Sequence, residues 1–412
     1  MKFIALKPDY LKKQKTGKSK YGKRLIKGGA PGILRTILVL GILLFPILFA
    51  GINITCLMQP RQGADDPYWN DVSRYLAGME ISEKSVLWPK TKEPRYLEHM
   101  KFMDNLWGMI EKETIELIRP WRKKNIPVVK RYGTAFYPLS GADIINLFTL
   151  FPDSRSYIMV AMEQPGEASI LRDHGSRRLI DGLVSIERGI YFYGTCNYFQ
   201  TKVMIQEMNN TLLPGTAPSL LIFMARLGCT IRQVENIAID GSGSIVPLTA
   251  MKPVQSPEKL INGIRIYFTV KGGVSVRELV YLSMRLEANS VNPATPEGKF
   301  FNRLRNVKTM LKSAVYILQD KRYEPLKNFI LQKSALIVQD DSGILFRDFN
   351  SGWDIKLFGT YNPVLNLPGC NVQKQDDLAL RYQKQSLPLP FNFGYGILLG
   401  PGKSNLMVAK RK

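Results

Sequence analysis

The polar and apolar positions divide the chain sharply. From Thr36 to Pro60 there is no charged residue, and residues 36–58 are almost wholly apolar. A helix of that length reaches ~34 Å at 1.5 Å per residue, enough to cross a hydrocarbon core of ~30 Å, so the run predicts one transmembrane helix. Beyond it the pattern becomes periodic. Residues 59–92 are mixed and read as a connector with a short helix over 72–79. Leu97, Met100, Met103, Leu106, Trp107, Ile110, Leu117, Ile118 and Trp121 then recur at three- and four-residue steps, which predicts a helix that Pro120 kinks or ends.

A strand–helix–strand unit follows. Residues 128–129 and 134–137 read as extended, 138–141 as a turn, 142–150 as a short helix and 157–162 as a continuous apolar strand. Unbroken hydrophobicity in a strand implies burial on both faces, as in a parallel sheet covered by helices. Helical patterns recur over 198–208, 219–227 and 301–318, and extended ones over 237–240 and 264–270. Toward the end, 334–339 and 344–349 flank Asp340-Asp341-Ser342-Gly343 and predict a hairpin, with further strands over 353–358 and 405–409. The expected fold class is α/β: one N-terminal transmembrane helix, then a mainly parallel Rossmann-like sheet with helices on both faces and an antiparallel C-terminal part. The expected organisation is a basic cytoplasmic tail (1–35), the span (36–58), the connector (59–92) and an α/β extracytoplasmic domain (93–412).

Charge sets the orientation of that arrangement. The 412 residues carry a net charge of +23. Residues 1–35 hold eleven Lys and Arg against the single Asp9, so the positive-inside rule keeps the tail in the cytoplasm. A cleaved signal peptide would have an unusually long basic region and no convincing small-residue cleavage site. A lipidated Cys56 would lack a small residue before it. The resulting expectation is a single-pass bacterial inner-membrane protein with a periplasmic domain. Cys56, Cys196, Cys229 and Cys370 form no C-x-x-C, and only His99 and His174 are present, so neither a zinc site nor a disulfide scaffold is expected.

Residues 117–142 contain no acid but carry Arg119, Arg122, Lys123, Lys124, Lys130 and Arg131, with Trp121 and Tyr132 interleaved. Cations beside aromatic faces suit an anionic glycan, a lipid headgroup or an acidic envelope protein. The expected compartment argues against nucleic acid. The same cations would also be favoured simply at a solvated helix end.

Two segments, Phe136-Tyr137-Pro138-Leu139-Ser140-Gly141-Ala142-Asp143 and Gln339-Asp340-Asp341-Ser342-Gly343-Ile344, together with the ends Phe393-Gly394-Tyr395 and Ser404–Ala409, resemble an uncharacterised group of exported bacterial proteins. That resemblance implies no activity. The first segment also resembles, more loosely, the opening βαβ unit of Rossmann-like methyltransferases. This implies a ligand facing the turn at Ser140, Gly141 and Asp143, and an acidic residue, here Glu163, at the end of the second strand. The turn departs from that pattern in having one glycine, with Pro138 and Leu139 where backbone should approach a ligand, and no cofactor is expected. Asp340 and Asp341 could act as an acid–base pair or simply form a backbone turn. No G-x-S-x-G elbow, P-loop or H-E-x-x-H occurs. The leading expectation is a non-enzymatic envelope protein that binds an anionic partner or assembles with envelope proteins. The alternative is an enzyme on the Rossmann-like core using Glu163 or Asp340 and Asp341.

Overall fold

The computed structural model describes residues 65–129, 133–168, 171, 182–191, 213–251, 261–314, 316–363, 372–400 and 402–412. All lie within one compact unit, Met58–Lys412. Its centre is a ten-stranded sheet, ordered β4-β3-β5-β6-β2-β1-β7-β8-β10-β9. The strands are β1 Thr134–Pro138, β2 Ser156–Ala161, β3 Cys229–Ile239, β4 Ile245–Pro247, β5 Asn262–Val270, β6 Arg277–Ser283, β7 Val307–Leu311, β8 Ser334–Gln339, β9 Trp353–Gly359 and β10 Asn405–Arg411.

The sheet is mixed, and this corrects the expectation of a mainly parallel one. Four neighbouring pairs, β6–β2, β2–β1, β1–β7 and β7–β8, are parallel. The other five, β4–β3, β3–β5, β5–β6, β8–β10 and β10–β9, are antiparallel. The parallel centre is where the strands are most deeply buried: β2 and β7 are buried almost end to end, β7 even at Lys308 and Thr309. The flanking strands β3 and β9 alternate buried with half-exposed positions, which suits antiparallel pairing at the margins.

Period-two alternation sends the central side chains into two cores. Phe136, Ile158, Val160, Val280, Leu282, Val307, Leu311 and Ile337 face one side, and Tyr137, Tyr157, Met159, Leu279, Tyr281, Met310, Leu336 and Val338 face the other. Helices α1 Pro67–Leu76, α2 Pro94–Ile110, α3 Glu116–Asn125, α4 Ile144–Leu150 and α5 Ala217–Arg226 cover the second face. Helices α6 Pro296–Arg303 and α7 Glu324–Lys333 cover the first, and α8 Asp376–Gln385 packs on β9 and β10 through Leu378 and Tyr382.

Several local expectations are overturned. Of the two outcomes expected at Pro120, a kink or an end, the end does not occur. A π-turn at Glu111–Ile115 separates α2 from α3, and α3 continues through Pro120 to Asn125. Such a widened turn is a known way for a helix to absorb local irregularity. The helix expected over 301–318 is instead the end of α6 and strand β7, in which even Lys308 is buried between neighbouring strands. The turn after β8 does not begin a hairpin: β8 pairs with β10, and residues 346–348 form a 3-10 turn.

The membrane expectation is not sustained. Among the described residues no helix is long and apolar enough to cross a membrane, and this finding stands against a single-pass inner-membrane protein with a periplasmic domain. The basic tail, the apolar run 36–58 and the helix expected over 198–208 lie outside the described residues.

Candidate functional site

In an open sheet of this kind, the carboxyl ends of the parallel strands form a crevice where chain progression reverses direction. Here β2 lies on one side of β1 and β7 on the other, so the reversal falls between β1 and β7. The loops leaving β1, β7 and β8 meet there, and they are unusual in conformation. Leu139, Ser313 and Tyr316 have φ of 63°, 52° and 56°. Left-handed backbone costs a non-glycine residue ~1–2 kcal/mol, and such strain gathers at functional sites.

Asp143 caps α4, accepting from the Asn146 amide at 3.3 Å and from Asn146 Nδ2 at 3.0 Å. Its Oδ2 lies 2.6 Å from Lys312 Nζ, and the two side chains are 1% and 0% exposed. Lys312 stands one residue past β7, where sequence periodicity gave no reason to look. Tyr137 donates to the Lys312 carbonyl at 3.1 Å. Burial, then the charges of Asp143 and Asp340, push its phenol well above the ordinary range. Ser140 is buried and donates to the Gly141 carbonyl at 3.0 Å, while Gly141 takes a φ of 51° to turn the chain.

Asp340 and Asp341 are buried rather than displayed on a surface turn. Asp340 Oδ2 accepts from the amides of Ser313 (3.1 Å) and Tyr395 (3.2 Å), and Oδ1 accepts from the Ser342 amide and hydroxyl. Burial raises its pKa against those donors. Asp341 accepts from Asn405 Nδ2 at 2.8 Å and Tyr316 Oη at 3.0 Å. Burial and the neighbouring Asp340 charge push it up to about 7. Glu163 does not join this cluster through any described contact. It sits at the β2–β6 side, where Tyr281 donates to its carbonyl at 3.0 Å. Ser140, Asp143, Asp340 and Asp341 therefore gather near the β1, β7 and β8 ends as a packed polar network, without Glu163.

The acid-free stretch behaves differently along its length. Trp121 is buried, its ring edge-on to Phe358 and Phe391, so it presents no face to a ligand. Arg119 pairs with Glu111 at 3.3 Å and Arg122 with Asp153 at 3.6 Å. Lys130 and Arg131 lie outside the described residues. Lys123 and Lys124 are exposed, and with residues 125–128 they line a groove of about 360 Å³ whose other wall is Asp354 and Lys356 of β9 and Val408 and Lys410 of β10. In register, Lys356 stands opposite Val408 and Asp354 opposite Lys410, so period-two alternation aims all four into the groove. None of the four lysines is in an ion pair with another described residue. Lys356 and Lys410 were missed in the sequence. Their only signal was the spacing of two charged strand positions, meaningful once β9 and β10 are known to be adjacent.

Among the described residues no group of His, Cys, Asp and Glu is arranged to hold a metal ion. No family model, curated protein or solved structure matches the chain.

Proposed function

We propose that the protein is a binding module whose groove between the end of α3 and the β9–β10 pair takes an anionic ligand. One observation carries this reading: Lys123, Lys124, Lys356 and Lys410, from separate parts of the chain, border one groove with Asp354 as the only carboxylate among its described lining residues. Like charges held together without partners repel, and an anion relieves that repulsion. The groove volume matches one charged unit of a glycan or a phosphorylated headgroup. Ile126, Pro127, Val128 and Val408 supply an apolar wall, with Val128 88% exposed, so a ligand with a ring or alkyl body beside its charge fits better than a bare ion. Exclusion of nucleic acid rested on the compartment and falls with it, so an oligonucleotide belongs among the probes. Acid–base catalysis by Asp340 and Asp341 is disfavoured because both are buried and hydrogen-bonded within the chain.

The test is binding of heparin, inositol hexakisphosphate and a single-stranded oligonucleotide to the parent and to a Lys123→Gln, Lys124→Gln, Lys356→Gln, Lys410→Gln variant, at several salt concentrations. Each lost exposed charge contact is worth ~0.2–1 kcal/mol, so losing four should weaken binding by roughly 4-fold to several hundred-fold. Parental affinity should fall with salt. Equal affinity of the two proteins for every probe would remove the groove from consideration.

A further inference from the structure

The crevice between β1 and β7 is closed by the chain itself. The 3-10 segment Gly394–Leu399 lies against it, and Tyr395 makes the contacts. The Tyr395 amide donates to Asp340 Oδ2, its hydroxyl donates to the Ser313 carbonyl at 3.0 Å, and its ring lies within 13° of parallel to that of Tyr316 with centroids 6.1 Å apart. A planar ring with one donor thus occupies a place bounded by an aromatic face and a carbonyl, and the backbone beside it occupies the Asp340 carboxylate.

The segment is held most closely over its first three residues. Gly394 has a φ of 65° and approaches Asp340 so closely that any Cβ there would collide with the carboxylate. Three residues beyond Tyr395 the contact fades: Leu398 and Leu399 are 47% and 44% exposed, and Gly400 follows with a φ of 106° and open space around its α-carbon. Apolar side chains turned outward do not hold a segment down, so its attachment depends chiefly on buried Phe393 and Tyr395 and on the close approach of Gly396 to the Ser404 backbone. Beneath it, Oγ of Ser313, itself a left-handed residue, is buried without a hydrogen-bond partner among the described residues.

We propose that this crevice is a second ligand site, occupied in this structure by Tyr395, and that its ligand is an amino-bearing heteroaromatic ring. The ring would stack on Tyr316 and its amino group would donate to Asp340 and the Ser313 carbonyl, with Ser313 Oγ supplying the polar contact it now lacks. Asp340, an acceptor from two backbone amides, disfavours an anionic ring, which selects a neutral or cationic one. Binding requires Gly394–Leu399 to lift, a movement that the glycines at 394 and 400 permit because both tolerate backbone angles closed to other residues. The ligand's affinity is lowered by whatever fraction of molecules keeps Tyr395 in place.

The experiment compares adenosine and cytidine, which carry the amino group, with uridine, which does not, and with p-cresol, which copies the tyrosine ring. Calorimetry on the parent and on Tyr395→Ala reads the affinities, and a melting curve shows that the variant is folded. The expected result is adenosine or cytidine binding at least tenfold tighter to Tyr395→Ala than to the parent, with uridine weaker, and loss of that gain in Tyr395→Ala combined with Asp340→Asn. Binding of p-cresol and uridine as tight as that of adenosine means a vacated cavity only and overturns the proposal, as does a folded variant that binds no ring. Hydrogen exchange on the parent at millimolar adenosine keeps the idea testable if the variant fails to fold. Faster exchange at residues 395–399 supports the site, and unchanged exchange overturns it.

Discussion

Lys312 and Asp143 offer a stability test whose magnitude follows from geometry. Their charged atoms are 2.6 Å apart and both side chains are sealed from solvent. Replacing one partner leaves the other charge buried and uncompensated, at a cost of ~3–5 kcal/mol, whereas replacing both by neutral groups is often close to neutral. Asp143→Asn is the cleaner single change because Asn caps a helix as well as Asp, so α4 keeps its N-terminal bond and only the charge is lost. Lys312→Met keeps an unbranched apolar stem of similar length. Urea unfolding at pH 7 should show each single variant ~3 kcal/mol or more below the parent. The double variant should lie within ~1–2 kcal/mol of it, giving a large favourable coupling energy. Single losses under ~1 kcal/mol, or a double loss equal to the sum of the singles, would refute the claim that this pair is a buried, mutually dependent charge pair.

Three further outcomes are expected. Ile158 lies between Phe136 of β1 and Val280 of β6 in register, so Ile158→Asp buries an unpaired charge and should yield no folded protein by circular dichroism; a variant melting like the parent contradicts the sheet register. Burial lowers the Lys308 amine to about 8, so the folded state resists protonation and parental stability should rise as pH climbs from about 8 toward 10.5. Lys308→Met should remove that slope and stabilise the protein at pH 7 by up to ~3 kcal/mol. Asp341, held at about 7, keeps a proton in the folded chain that the unfolded chain releases near pH 4. Parental stability should therefore fall as pH rises from about 4 to 7, and Asp341→Asn should flatten that decline.

What could be read from the sequence followed the strength of local pattern. Phe136, Ile158 and Val160 were expected in a buried layer and are there, because an apolar run that short and unbroken has few other ways to be satisfied. Strands over 334–339, 353–358 and 405–409 emerged for the same reason. Residues 301–318 misled because Leu304, Val307 and Leu311 fall at helical spacing by coincidence, although Val307 and Leu311 lie on one face of a strand. The polar network was half legible. Asp143, Asp340 and Asp341 stood out in their turns, but Lys312, Tyr316, Tyr395 and Asn405 join them only through folding, and single-sequence periodicity carries no information about such partners. Trp121 was misjudged in another way: interleaving with cations suggested a ligand-facing ring, yet α3 turns it into the core while leaving Lys123 and Lys124 outside.

The lysine groove is tested most directly by acetylation footprinting of the full chain with and without heparin or inositol hexakisphosphate, read by mass spectrometry. An anion seated in the groove shields ammonium groups from four sequence positions at once, while exposed lysines elsewhere, such as Lys84 and Lys271, report nonspecific attraction. Lys123, Lys124, Lys356 and Lys410 should be protected together, at ligand concentrations that leave Lys84 and Lys271 reactive, and the protection should fade as salt rises. Protection spread evenly over the surface, or absent from these four while the ligand remains bound, would contradict the account.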